Sequence, residues 1–335
     1  MSITPVQKLG SGMASSTFHA LLLEEIHQSA LPSIARRHLI VPRAAHVSRI
    51  TSEQTLQHCW RELGAEGVVR AGMRIEQHTY NPCVATLLKE VDLKRAIDVW
   101  IVLQEHYHES YRIWSLCKSD NHIVLKHASA KDTAVPPTAN SMLVVGVIAG
   151  MAKTMGIDEL NVRASTAEGE EIVLIEAGNI AQNISRIEPS SICDITITWD
   201  PNRNQDDHPA MSRIASNFLE VMGFDASDNV KIQRMSKAVL ECHHDKVSIA
   251  YVASCCAMSV RSLQRILRDR GMRFTDFLRM VRLKKAVDLL LNTDRSLVQI
   301  ALSCGYYDSA HFSREFKSSV GVSPSQLREI GLQIH

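Results

Sequence analysis

Two arginines, Arg265 and Arg314, occupy equivalent places in a segment that the chain uses twice. A guanidinium is a rigid fork of N–H donors. It pairs bidentately with a flat edge bearing two acceptors, as the major-groove edge of guanine does. The chemistry on offer is therefore recognition rather than bond making. The sequence contains no Gly-rich phosphate loop, no nucleophile elbow and no C-x-x-C pair among its eight cysteines.

The repeated segment fixes how those arginines are held. The first copy runs from Ser248 to Gly271 and the second from Ser296 to Gly321. With one extra residue allowed in the second turn, Val252-Ala253 falls on Ile300-Ala301 and Cys256-Ala257 on Cys304-Gly305. Ser259 then falls on Asp308, Leu263 on Phe312, Arg265 on Arg314, Leu267 on Phe316 and Arg268 on Lys317. Each copy predicts a short apolar helix that stops at a small residue, Ala257 or Gly305, where the chain turns tightly. A polar N-cap follows, Ser259 or Asp308. The second helix then sets an apolar stripe (Leu263/Ile266/Leu267, Phe312/Phe316) against a basic face. That is the layout of a helix-turn-helix whose second helix enters the major groove.

Between the copies, apolar residues at Phe277, Met280, Val281, Leu283, Ala286, Val287 and Leu290 predict a long amphipathic helix over Thr275–Leu291. A rigid helix there would fix the spacing of two reading heads on one duplex face, where adjacent major grooves lie about 34 Å apart. Charge agrees with this reading. Residues 229–335 hold 17 Lys+Arg and 9 Asp+Glu, leaving 20 and 27 for residues 1–228 out of 37 and 36 in the chain. A basic C-terminal part suits phosphate contact, whereas an acidic N-terminal part has a different task.

On these residues the C-terminal third resembles the DNA-binding domain of the AraC/XylS family of bacterial transcription regulators. The matching positions are Arg282-Leu283…Ala286…Leu289-Leu290, Ile300-Ala301…Cys304-Gly305-Tyr306…Ser309…Phe312-Ser313-Arg314…Phe316-Lys317 and Gly321-Val322-Ser323-Pro324-Ser325…Leu327-Arg328. The resemblance implies seven helices, an all-α domain of two helix-turn-helix subdomains joined by a long helix, and promoter binding, most often as an activator. By position it implies that Arg261, Gln264 and Arg265 face bases from the first recognition helix. Ser309, Ala310, His311 and Arg314 would do so from the second. Arg268 and Lys317 would touch phosphate, which positions rather than specifies.

The first 222 residues predict an α+β domain, followed by a linker at 223–229 and the DNA-binding domain at 230–335. Helices are expected at Ser16–Gln28, Thr51–Leu63, Leu93–Tyr107, Met142–Ile157 and His208–Val221. A hairpin is expected over Ser110–Ser129, turning at Ser119-Asp120-Asn121, with strands at Glu171–Glu176 and Ile192–Trp199. The order of elements resembles the "arabinose-binding domain" type of N-terminal region in the branch that includes ornithine-utilisation regulators. That resemblance implies effector sensing, dimerisation or both. Trp100, Tyr107, Arg112 and Trp114 are the candidate effector-binding residues, since aromatic walls with a few polar groups make ligand sites.

The expected partners are double-stranded promoter DNA, RNA polymerase, a small-molecule effector and a second copy of the chain. No membrane, cofactor, metal or catalytic residue is expected. Glu105-His106-Tyr107-His108-Glu109 puts its histidines two apart, on different helix faces, and Glu241-Cys242-His243-His244-Asp245 reads as a solvated loop. Cys255, Cys256 and Cys304 are expected in the core. MSITPVQKLGSG lacks the basic-then-apolar pattern of a signal peptide, so a reduced cytoplasm is expected. Two alternatives keep the DNA-binding domain. In one the N-terminal half is a ligand-independent dimerisation module. In the other it is a repair-type enzyme with a reactive cysteine, for which Cys83 and Cys117 are the candidates.

Overall fold

A computed structural model describes residues 13–15, 20–23, 25–26, 46–78, 84, 87–88, 92–107, 111–129, 136–166, 168–187, 192–200, 226–241, 247–268 and 272–334. The described parts of Met1–Ser29, His46–Ile75 and Glu90–His208 form one compact unit, and those of Ala30–Ala45, Glu76–Lys89 and Pro209–His335 form a second. The expected helix at His208–Val221, residues 222–225 of the expected boundary, His108, Glu109 and Cys83 lie outside the described residues.

The first unit contains β1 (Met13–Ser15), β2 (His46–Ser48), α1 (Arg49–Met73), α2 (Leu93–Tyr107), β3 (Tyr111–Ser119), β4 (His122–Ser129), α3 (Thr138–Thr154), β5 (Asn161–Thr166), β6 (Glu171–Glu176), β7 (Asn179–Ile180) and β8 (Ile192–Thr198). β3 to β8 form a six-stranded antiparallel sheet in the order β3-β4-β8-β5-β6-β7. Strand alternation puts one buried row across it, Ile123–Ile197–Val162–Ile175, and a second beside it, Leu125–Ile195–Ala164. α3 is apolar nearly all round, as a helix buried on most sides must be. On its first turn, buried Ser141 places its Oγ 2.9 Å from His127 Nδ1 of β4. The α+β expectation holds for this sheet-and-helix region.

α1 and α3 meet backbone to backbone. A β-carbon at Gly72 would lie 2.6 Å from the Leu143 carbonyl oxygen, and one at Gly150 would lie 2.6 Å from that of Met73. One at Gly146 would run into the carbonyl oxygen of Val69. Glycine is required at this crossing because nothing larger fits.

The helix expected over Thr51–Leu63 ends there, at non-helical Gly64 (φ 65°, ψ −168°), and α1 resumes beyond this kink to Met73, burying Val68, Val69 and Ala71. Two expectations need correction. β5 was not expected, as its Asn161–Thr166 run carries a charge and three polar side chains, yet it forms the centre of the sheet beside β8. The linker expected at 223–229 is already helical from Ala226.

The second unit contains α4 (Ala226–Glu241), α5 (Ile249–Cys255), α6 (Val260–Arg268), α7 (Phe274–Asn292), α8 (Leu297–Ser303), α9 (Ser309–Val320) and α10 (Pro324–Ile334). From Ala226 onward the described residues form seven helices and no strand. α7 extends the predicted Thr275–Leu291 by one residue at each end. Phe277, Met280 and Val281 from its first half join Ile232, Met235 and Val239 of α4, Val252 and Ala253 of α5, and Leu263 and Leu267 of α6 in one core. Its buried stripe continues through Leu283, Ala286, Val287 and Leu290, and α7 also packs against α8 and α10. At a rise of about 1.5 Å per residue, α7 is a strut on the order of 28 Å long.

Candidate nucleic-acid interface

The α5–α6 and α8–α9 pairs are built from the same parts at the same offsets. Ser248 caps α5 by accepting the Tyr251 N–H at 3.1 Å, and Ser296 caps α8 by accepting that of Gln299 at 3.3 Å. Gln299 returns the bond to the Ser296 N–H, closing a capping box. Both short helices end in the same double turn. The Ala257 and Met258 N–H groups reach the Ser254 and Ala253 carbonyls, and those of Gly305 and Tyr306 reach Leu302 and Ala301. The turning residue is left-handed in each, Ala257 at φ 53° and Gly305 at φ 77°.

The second helices are capped as expected. Ser259 Oγ accepts the Ser262 N–H at 3.1 Å, and Asp308 Oδ1 accepts that of His311 at 2.6 Å. The extra residue of the second turn is Tyr307, which projects into solvent. α9 closes on Gly321, left-handed at φ 90°.

This framework sorts the sequence-predicted residues by face. Leu263 and Leu267 of α6, with Phe312 and Phe316 of α9, are buried. Arg261, Gln264, Arg265 and Arg268 are exposed on α6. Ala310, His311, Arg314 and Lys317 are exposed on α9, with Ser309 half-buried at its first turn. Each helix therefore brings its candidate residues together on an outward basic face. His311 Nε2 also stands 3.5 Å from Glu315 Oε2.

The effector candidates are not gathered in the same way. Trp100 is buried on α2. Arg112 and Trp114 stand on the face of β3 opposite buried Ile113, and Trp114 is 37% exposed. Tyr107 ends α2. Sequence reasoning missed Gln104, which is buried and satisfies both backbone groups of Ile113: its Nε2 donates to the carbonyl at 2.6 Å and its Oε1 accepts the N–H at 2.8 Å. It thereby takes the place of a neighbouring strand at the β3 edge. No local signal points to this, because its partner Ile113 lies nine positions on, in another element.

Cys256 and Cys304 are buried as expected, but Cys255 is exposed, turned outward by helical periodicity. Burial pushes the Cys304 and Cys59 thiols up to about 12 and raises that of Cys256. Cys117 is exposed on β3. Among the described residues, no group of three or more His, Cys, Asp or Glu is placed to hold a metal ion. No described helix is long and apolar enough to cross a membrane.

Residues 252–330 match the model of a helix-turn-helix domain family. Over 94 residues the chain is 40% identical to an HTH-type transcriptional activator, RhaS, of Escherichia fergusonii, covering 28% of this chain and 34% of that protein. The C-terminal region is an AraC-type helix-turn-helix domain. A transcriptional activator of Rhodococcus, NphR, is 30% identical over 102 residues, 30% of each chain. A solved transcriptional regulator from Chromobacterium violaceum, described as containing an AraC-type DNA-binding domain, aligns at 25% identity over 32% of this chain and 98% of that one, with a TM-score of 0.29. The chain thus spans about a third of the length of the relatives it matches.

Proposed function

We propose that this protein is a sequence-specific DNA-binding regulator of transcription, acting as an activator through RNA polymerase. In this reading both helix pairs are helix-turn-helix subdomains. α6 reads bases with Arg261, Gln264 and Arg265, and α9 reads them with Ser309, Ala310, His311 and Arg314. Arg268 and Lys317 hold phosphates. The observation that carries the reading is the repetition of one cap–turn–cap framework, each copy presenting exposed basic side chains on the outward face of its second helix. The activators among the relatives support the same direction of control.

The N-terminal unit, residues 1–222 in this reading, senses a small molecule and passes its state through the segment before the DNA-binding domain at 230–335. Gln104 argues against dimerisation through the β3 edge, because it occupies the backbone groups that a second β3 would need at Ile113.

Duplex binding by the full chain tests the first part. Affinity should fall steeply as salt rises from 50 to 200 mM, as counterion release requires; a chain that retards no duplex at low salt would refute it. Thermal unfolding of the full chain against amino acids, sugars, fatty acids and aromatic acids tests the second. A ligand of the folded state must raise the melting temperature. A melting temperature that depends on protein concentration and on no compound would replace sensing with dimerisation.

A further inference from the structure

His311 stands at the third position of α9, on the face assigned to base reading, and a short chain of contacts runs beside its ring. The Tyr306 hydroxyl donates to Glu315 Oε1 at 3.3 Å. The other carboxylate oxygen, Oε2, lies 3.5 Å from His311 Nε2. The Tyr306 ring meets the imidazole edge to face, with centroids 5.6 Å apart. Tyr306 is itself buried, and burial raises its hydroxyl above the ordinary range, so it remains a donor. The Asp308 carboxylate takes the His311 backbone N–H, and Arg282 stacks on the far partner, Tyr306.

A neutral imidazole carries its proton on one nitrogen and a lone pair on the other. A carboxylate beside Nε2 favours the proton there, which leaves Nδ1 as an acceptor. In the major groove an acceptor matches the exocyclic amines, adenine N6 and cytosine N4, and rejects guanine O6/N7 and thymine O4.

We propose that Tyr306 and Glu315 are positioning residues that set the tautomer of His311, so that His311 selects adenine or cytosine at one operator position. The inference rests on the DNA-reading role proposed above for α9.

The test is selection from a randomised duplex pool by the full-length protein at pH 8, where imidazole side chains are ordinarily uncharged. Wild type should enrich adenine or cytosine at one position. His311→Ala should lose that preference, on the order of fivefold, while other positions keep theirs. In Glu315→Gln the carbonyl oxygen held by Tyr306 turns the amide N–H toward Nε2. The proton should then move to Nδ1, and the preference at that position should vanish or pass to guanine or thymine. Nitrogen-15 spectra of the wild-type imidazole, which require no variant to fold, should report a proton on Nε2.

A proton on Nδ1 in wild type, or an unchanged preference in Glu315→Gln, would overturn the proposal. So would a guanine or thymine preference at the position that His311→Ala erases. Enrichment with no position sensitive to His311 would overturn it alone, whereas absence of any enriched sequence would overturn the DNA-reading role beneath it.

Discussion

The guanidinium of Arg282 lies over the ring of Tyr306, 5.6 Å from its centroid. Arg282 belongs to α7 and Tyr306 to the turn between α8 and α9, so this stack bolts the strut to the second reading head. Gly305 completes the seat. A β-carbon there would come within 3.3 Å of Arg282 Nε and Nη2. Arg282→Ala should cost about 1–2 kcal/mol, as expected for a desolvated cation–π pair, and Arg282→Lys should restore it only in part, because a compact, strongly hydrated ammonium is costlier to desolvate there. Chemical unfolding of the full chain checks both; a loss under about 0.3 kcal/mol for Arg282→Ala would remove the bolt from the argument.

The two turns predict opposite glycine effects. Ala257 holds a left-handed φ of 53° at the place that Gly305 fills in the second pair. The left-handed conformation costs a residue with a β-carbon about 1–2 kcal/mol, and glycine gives back about 0.5–1 through unfolded-state entropy. Ala257→Gly should therefore stabilise by roughly 0.5–1 kcal/mol. Gly305→Ala should destabilise by at least as much, since crowding against Arg282 adds to the strain. Denaturation midpoints of the two variants must move in opposite directions.

At the α1–α3 crossing, Gly146→Ala should be among the most damaging single-carbon additions in the chain. The new methyl would overlap the Val69 carbonyl, which is backbone and cannot rotate away. A cost of about 2–3 kcal/mol is expected from overpacking, seen as an early unfolding transition. Gly156→Ala meets open space but takes a φ of 78°, so it should show the milder strain alone.

How much of this was legible follows from where the signals are local. Caps, turns and stripes of the second unit are short-range, so Ser259, Asp308, Ala257 and Gly305 could be placed from their types and spacing, and the fold agrees. The N-terminal unit depends on pairings far apart in sequence. Gly64 ends the helix expected over Thr51–Leu63, a local signal, whereas the segment that resumes beyond it to Met73 is held by burial of Val68 and Val69 against α3. β5 has the composition of a loop and becomes a central strand only because β8 and β6 flank it. Gln104, Arg282 and the Tyr306–Glu315–His311 relay were illegible for the same reason: each depends on a partner that only the folded chain brings within reach.

The buried thiols make a pH prediction. Cys59 and Cys304 are held up to about 12, chiefly by burial, against an ordinary value near 9. Below pH 9 both states keep their protons and this contribution to stability is fully present. As pH rises from 9 toward 12 the unfolded chain ionises first, and the contribution is lost. Replacing both cysteines with alanine should flatten that alkaline fall relative to wild type. At pH 8 a thiol reagent should reach Cys59 and Cys304 only after denaturant is added; rapid native reaction at either would contradict their burial.

The central claim is that two heads on one chain read one duplex. It is tested most directly by comparing the sequence preferences of wild type, Arg265→Ala and Arg314→Ala, with all three proteins titrated against single-base-pair variants of a selected site. Each variant should lose about 1–3 kcal/mol and relax preference at its own position. The two positions should lie about 10 base pairs apart, one helical turn. Loss at the same position for both, or undiminished discrimination in either, would contradict the claim that α6 and α9 each read bases.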